Sequence, residues 1–356
     1  MGMLMGMLMG TMMGKRWRNA GVVLTAALLA CEGHTVPPAT AVAHTEVRIV
    51  VDSGVTLAGD FALPSTPTTA AAGSSALSAV PAVLLLSGSG AQDRDGARTE
   101  LPGYRPFVDI ADTLLAAGFA VLRLDDRGVG ASTGRFDGAT TEDFARDAAA
   151  AVRWLRGHAR VQPEHIALVG HSEGALVALL VAHDDPRVWV LGLLGAASRP
   201  GREIARWQRA TLVTGDLTTW PAAQRAAVLA RAESDADAIA ATDPWLRTWF
   251  SLDPRTIARG VEQPVLLLHG ENDRQVPVEQ SGELAAALRD ARIVRLAHTN
   301  HLLLDDFDGD PRGYVRLTSR RVEGEILRAL VAFLEQQNGE KRFSEGKTLK
   351  KIREIR

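Results

Sequence analysis

Six short apolar runs govern what this chain can fold into. They read AVLLL (residues 82–86), AVLRL (120–124), HIALV (165–169), VWVLGLLG (188–195), PVLLLHG (264–270) and ARIVRLA (291–297). Each has the length of a buried strand and is closed by glycine or by a polar cluster. Segments with helical spacing stand between them at 104–117, 141–157, 173–183 and 278–288, and another follows at 321–336. The 141–157 segment is amphipathic, with an acid-rich opening at Thr141-x-x-Phe144. Strands that alternate with helices predict an α/β architecture, a mostly parallel, doubly wound sheet covered on both faces. Ahead of this series, residues 46–63 alternate around Asp52-Ser53-Gly54 and predict an N-terminal β-hairpin. Ligands of such sheets lie at the carboxyl ends of the strands, so functional residues are sought there.

The ends of the chain read differently. Lys15, Arg16 and Arg18 precede an apolar run, Ala20 to Ala30, which is too short to span a bilayer and suits the core of a signal peptide. The run ends in Leu28-Leu29-Ala30-Cys31, and Cys31 is the single cysteine of the 356 residues. Residues 1–31 are therefore expected to be a signal peptide with a lipobox-like end. Cys31 is the expected lipidation site, and the protein is expected to be exported, periplasmic or at the cell surface, and anchored to the membrane. With one cysteine there is no internal disulfide, so the folded part must be held by its core. Residues 32–45 read as a tether, 64–80 as a low-complexity loop, and 337–356 as a basic, solvated tail. A net charge of −2 and an aromatic content of 5% give no support to a nucleic-acid partner.

The domain thus spans 46–336, and one stretch breaks its rhythm. Residues 197–260 are helical in character and hold Trp207, Trp220, Trp245 and Trp249, four of the seven tryptophans. This insertion is read as a cap over the site; the simpler alternative is a helical insertion whose tryptophans pack on the main body.

The most specific local signal is Gly170-His171-Ser172-Glu173-Gly174, between the run 165–169 and the helix 173–183. A Gly-x-Ser-x-Gly sequence at a strand-to-helix turn lifts the serine hydroxyl above the sheet edge. Glycines two before and two after are needed where a Cβ would collide at the crossing of strand and helix. The plainer alternative is a serine that caps a helix. A serine hydroxyl needs a base to take its proton and an acid to orient that base, in the order Ser, Asp or Glu, His on this architecture. Glu271 and Asp273 follow the run 264–270, and His298 and His301 follow the run 291–297. Asp273 lies deep enough in its loop to turn back over the sheet, whereas Glu271 abuts the strand. His301 is followed by three leucines that can restrain its ring. The candidate catalytic set is Ser172, Asp273 and His301. The side chains of His171 and Glu173 are expected to be structural or rim groups. The Glu173 backbone N–H opens a helix and is a candidate oxyanion donor. The second candidate is Ser89 N–H, in the glycine-rich loop SGSGAQDRDG (87–96). Asp93, Arg94 and Asp95 are expected to form a local charge network, and Asp126 and Arg127 to tie loops together by ion pairing. No His/Cys/Asp/Glu group has metal-ligand spacing, and neither metal nor cofactor is expected.

These motifs, LLLSGSGAQDRDG, LDDRGVGASTG, GHSEGALVA, PWLRTWFSLDP, PVLLLHGENDRQVP and NHLLLDD, resemble a bacterial esterase group within the α/β-hydrolase superfamily of serine hydrolases. The resemblance runs from about 46 to 336. It implies an α/β-hydrolase fold with a helical cap, Ser172, Asp273 and His301 as triad, and the amides of Ser89 and Glu173 as oxyanion hole. Ser87 stands where many superfamily members carry His before the glycine, a feature the narrower group shares. The activity implied is hydrolysis of carboxylic esters of small or medium acyl groups through an acyl-enzyme on Ser172, the substrate being a small-molecule acyl ester. Two alternatives are a serine peptidase or amidase, with Glu203, Asp235 or Asp237 receiving a peptide terminus, and a lipid-anchored binding protein without catalysis.

Overall fold

The computed structural model describes residues 42–65, 78–215, 217 and 219–354. Cys31, the signal peptide and most of the low-complexity loop lie outside the described residues. Eight strands form one sheet: β1 (Ala43–Val50), β2 (Thr56–Leu63), β3 (Val80–Leu86), β4 (Ala120–Leu124), β5 (Val161–His171), β6 (Leu191–Leu194), β7 (Val265–Gly270) and β8 (Ala291–Leu296). Their order is β1-β2-β4-β3-β5-β6-β7-β8. The expected hairpin is there: β1 pairs antiparallel with β2, which pairs antiparallel with β4. All other pairings are parallel. This is the α/β-hydrolase fold.

Alternation along the strands builds two cores. In β5, Ile166 and Leu168 face one side and Ala167 and Val169 the other, as a period of two requires. The first side is covered by α2 (Thr141–Gly157), α3 (Glu173–Asp184), α7 (Pro254–Ala258) and α8 (Glu279–Ala285). The second is covered by α1 (Pro106–Ala116) and α9 (Gly324–Glu354). Because β3 and residues 166–170 of β5 are buried on both faces, they read as nearly unbroken apolar runs. Helix α2 begins with a reciprocal capping box. The Thr140 side chain accepts from the Asp143 N–H, and the Asp143 carboxylate accepts from the Thr140 N–H. The cap is therefore Thr140 with Asp143, one residue before the Thr-x-x-Phe opening read from sequence.

Between β6 and β7 the insertion forms α4 (Gly201–Thr214), α5 (Ala222–Ala240) and α6 (Pro244–Ser251), followed by α7. Trp245 and Trp249 stack at 5.0 Å and pack with Leu176 of α3. Trp207 and Trp220 pack instead around Ala210, Leu217 and Ala232.

Helix α9 differs from expectation. It continues to Glu354, past the boundary drawn at residue 337. Residues 338–354 contain no proline and are rich in Glu, Lys and Arg, which favour helix, and the helix runs through the potential stop at Asn338-Gly339. Among the described residues no helix is long and apolar enough to cross a membrane.

Leu168 is fully buried at the centre of the sheet. Leu168→Ala is expected to lower the unfolding free energy by about 2–5 kcal/mol, read from urea denaturation, with an unchanged native circular dichroism spectrum.

Candidate active site

The turn after β5 is strained. Ser172 has φ 56° and ψ −115°, a conformation L-residues rarely adopt. A Cβ on Gly170 would lie 2.1 Å from the Gly174 carbonyl oxygen, and one on Gly174 would lie 2.2 Å from that of Leu86. Both positions thus require glycine for close backbone approach. Ser172 N–H is held by the Leu194 carbonyl at 2.9 Å. Although Ser172 occupies the N-cap position of α3, its side chain makes no capping hydrogen bond. Its Oγ lies 3.1 Å from His301 Nε2 instead. The plain helix-capping alternative therefore does not describe this side chain.

From His301 the hydrogen-bonded series continues inward. Its Nδ1 is 2.7 Å from Asp273 Oδ2. The other carboxylate oxygen, Oδ1, accepts the N–H groups of Gln275 (2.9 Å) and Val276 (2.8 Å). With Nδ1–H donating to Asp273, Nε2 is the acceptor presented to Ser172. Burial by itself would raise the Asp273 carboxyl. The charge of His301 and the hydrogen bonds from His269 and His301 outweigh it and hold the group well below the usual carboxylate range. Within each expected pair, the structure brings one member to the serine. Glu271 is exposed on its loop, and His298 is exposed beside Phe307, with ring centroids 4.4 Å apart.

His171 is structural, as expected. It is buried, and its Nε2–H donates to the His301 carbonyl at 2.8 Å. Burial, with the neighbouring His301 adding to it, pushes its ring down to about 3. The Glu173 side chain is likewise buried. It accepts from Thr141 Oγ1 and Trp245 Nε1, both at 2.7 Å, and from the Ser89 side chain. Burial raises its carboxyl, and these three donors oppose that rise.

Glu173 is the first residue of α3, so its N–H has no intrahelical acceptor. The 87–92 loop rests against the same turn. A Cβ on Gly88 would be 3.2 Å from both the His171 carbonyl oxygen and Ser172 Cβ. The network expected among Asp93, Arg94 and Asp95 is not local: Asp93 accepts the N–H groups of Asp95 and Ala97, while Arg94 and Asp95 pair outside the loop, and Arg127 forms ion pairs as expected. Arg94 bridges Asp125 and Glu46, Asp95 bridges Arg105 and Arg123, and Arg127 holds Asp147 and Asp143. Asp126 does not. Its oxygens accept from Ser87 Oγ (2.7 Å) and Gln92 N–H (2.9 Å), hydrogen bonds that replace the ion pair expected from sequence. The neighbouring Arg127 is already occupied by two other carboxylates.

Three residues at the site carry no local sequence signal. His269, the penultimate residue of β7, lies 3.4 Å from Asp273 Oδ2 and donates to the Val276 carbonyl at 2.8 Å. Asn300 braces the His301 loop, its Oδ1 accepting from Leu302 and Leu304 N–H. Gln92 Nε2 donates to the carbonyls of Gly88 and Ser89.

The insertion touches the site at two points: Trp245 at Glu173, and Trp207, whose Nε1–H donates to the Arg274 carbonyl at 2.9 Å. Between α4 and α5 it holds a cleft of about 490 Å3 that reaches Gln275, two residues from Asp273. Among the described residues no group of His, Cys, Asp and Glu could hold a metal ion.

Sheet order, strained serine turn and the Ser172–His301–Asp273 series together are those of an α/β-hydrolase, and the chain belongs to that superfamily. Residues 104–260 match the family described as "Serine aminopeptidase, S33", a span that takes in Ser172 and ends before Asp273 and His301. A protein of Variovorax paradoxus named "Putative carbamate hydrolase RutD" is 32% identical over 212 residues, covering 53% of this chain and 76% of that protein. Among solved structures, Est1E from Butyrivibrio proteoclasticus superposes with a TM-score of 0.54 at 17% identity, covering 83% of this chain and 99% of that one. The Pyrococcus furiosus esterase Pf2001 gives 0.53 at 17% identity, covering 91% and 99%. These two likenesses establish the fold alone.

His171 yields a pH prediction. Its folded value lies below the unfolded value of about 6.5. Its contribution to stability is therefore whole above that pH and is lost as pH falls toward about 3. Between pH 6.5 and 4.5, urea denaturation should show the wild type losing about 2–3 kcal/mol more than His171→Gln.

Proposed function

We propose that the protein is a serine hydrolase that cleaves carboxylic esters of small or medium acyl groups through an acyl-enzyme on Ser172. One observation carries this reading: the continuous series from buried Asp273 through His301 to a serine hydroxyl on a strained turn. In the proposed mechanism His301 Nε2 takes the Ser172 proton as Oγ attacks the acyl carbonyl. The N–H groups of Ser89 and Glu173 receive the oxyanion, each such donor being worth about 2.7–4 kcal/mol in the transition state. The imidazolium, held by ionised Asp273, then protonates the leaving alcohol, and water repeats the sequence on the acyl-enzyme. The insertion serves as cap in this reading, and its mostly apolar cleft suits the acyl group; its size is that of a small-molecule site, roughly 300–1,000 Å3.

The second reading is hydrolysis of an amide or carbamate, favoured by the serine aminopeptidase family match and by the relative named as a carbamate hydrolase. Against an aminopeptidase, two of the acids suggested for a peptide terminus are occupied. Asp235 pairs with Arg209 and Arg231, and Asp237 with Arg202. Export and lipidation at Cys31 are proposed from residues 15–31 of the sequence. Radiolabelled palmitate should enter the wild type expressed in a bacterium and not Cys31→Ser.

The test of function is hydrolysis of p-nitrophenyl esters from acetate to palmitate, beside a p-nitroanilide and a carbamate of matched acyl group. Ester turnover should dominate and should fall about 10⁴-fold or more in Ser172→Ala. Ester activity that survives in Ser172→Ala would overturn the serine mechanism. Preference for the anilide or carbamate would move the assignment to the second reading.

A further inference from the structure

The loop Ser87–Gln92 carries the proposed oxyanion donor Ser89 N–H, and one side chain fixes both of its ends. Asp126, just past β4, accepts from Ser87 Oγ at 2.7 Å and from Gln92 N–H at 2.9 Å. Gln92 in turn passes the constraint inward, its Nε2 donating to the Gly88 carbonyl at 2.8 Å. In a trans peptide the N–H points opposite to the C=O. Tying the Gly88 carbonyl to Gln92 therefore turns Ser89 N–H away from Gln92 and out of the loop. The direction of that donor is set by Gln92, and Gln92 is set by Asp126.

The surroundings of Asp126 decide its charge. It lines a cavity of about 50 Å3 with Ser87, Gly88, Asp125, Asp147 and Glu173. Glu173 faces it from α3 and Asp147 from α2. Arg127 is spent on Asp147 and Asp143, and Arg94 on Asp125 and Glu46. Among the described residues no cation pairs with Asp126.

We propose that Asp126 is a positioning residue of the oxyanion hole, clamping the Ser87–Gln92 loop as a neutral carboxylic acid, and that its ionisation weakens the hole by placing negative charge behind the developing oxyanion. The inference rests on the serine-hydrolase reading. Neutral Asp126 keeps both ties: its O–H donates to Ser87 Oγ, and its other oxygen still accepts the Gln92 N–H. Burial pushes the group up to about 7, Glu173 and Asp147 add to the rise, and the hydrogen bonds from Ser87 and Gln92 oppose it. The charge change thus falls within the working range of a histidine base.

The experiment is the pH profile of kcat and KM for a soluble ester between pH 6 and 9, in the wild type, Asp126→Asn and Ser87→Ala. Asparagine can make the same two hydrogen bonds but cannot ionise. The ratio of kcat/KM at pH 9 to that at pH 6 should rise at least threefold in Asp126→Asn relative to the wild type. Ser87→Ala removes one tie and should lower kcat at least threefold with KM changed less than twofold, because oxyanion contacts are made in the transition state. Thermal unfolding of each variant separates loss of fold from loss of alignment, and either variant alone reads one half of the proposal. An unaltered pH ratio in Asp126→Asn overturns the role of ionisation; full kcat in Ser87→Ala overturns the clamp. A wild type without Ser172-dependent turnover overturns the functional reading and this inference with it, whereas normal turnover with unmoved variants overturns this inference alone.

Discussion

The crossing of β5 and α3 without side chains is the contact on which the rest of the site depends. At Gly170 and Gly174 the two elements and the end of β3 approach to distances that no Cβ allows. That approach forces Ser172 into its positive-φ turn and raises its hydroxyl from the sheet. It also seats the carbonyls of Leu86 and Ser87 against Gly174, which carries the start of the 87–92 loop to the serine. One packing requirement thus places the nucleophile candidate, the helix N-terminus behind it and the loop bearing the other backbone donor. The strain is held by burial around it, since β5 lies at the middle of the sheet with a core on each face.

Around this turn, four carboxyl groups are sorted by their donors. Asp273 receives two backbone N–H groups and two histidines and is held low. Asp126, Glu173 and Asp147 are each raised, because their donors do not offset desolvation. The outcome is an electrostatic asymmetry. Firm negative charge sits behind His301, where an imidazolium forms in the proposed mechanism, whereas the carboxyls of Asp126, Glu173 and Asp147 are shifted the other way. Environments that push carboxyl groups apart in this way assign them different tasks.

Much of this was legible in the sequence, for identifiable reasons. Strand positions followed from apolar runs closed by glycine or a polar cluster, and AVLRL coincides with β4. Asp273 and His301 could be located because the fold delivers successive strand ends to one rim, so chain order becomes spatial proximity. The contacts that tune the site were not legible. His269, Asn300 and Gln92 sit in ordinary-looking positions, and Thr141 and Trp245 reach Glu173 from 32 and 72 residues away. Such partners are fixed by tertiary convergence and leave no periodic trace. Asp126 misled because an Asp-Arg dipeptide suggests shared ion pairing, while the fold directs Arg127 to α2 and Asp126 to the 87–92 loop. The end of α9 was missed for the opposite reason: a solvated charged stretch and a charged helix have the same composition.

Glu173 also explains why the insertion is built in two unequal parts. Its carboxyl gathers donors from α2, from the 87–92 loop and, through Trp245, from α6. Moving α6 would strip a donor from a buried carboxyl, at a cost of about 1–3 kcal/mol, and would break the packing of Trp245 and Trp249 on Leu176. Helices α4 and α5 join that cluster through Ile204, Ala205, Ala236 and Ala240, and add a smaller core of their own around Ala210, Leu217 and Ala232. The cleft lies in this second part, where the Thr211 hydroxyl and Gln208 Oε1 are buried without hydrogen-bond partners. The insertion thus meets the Ser172 turn through Trp245 and carries its cleft around the smaller core.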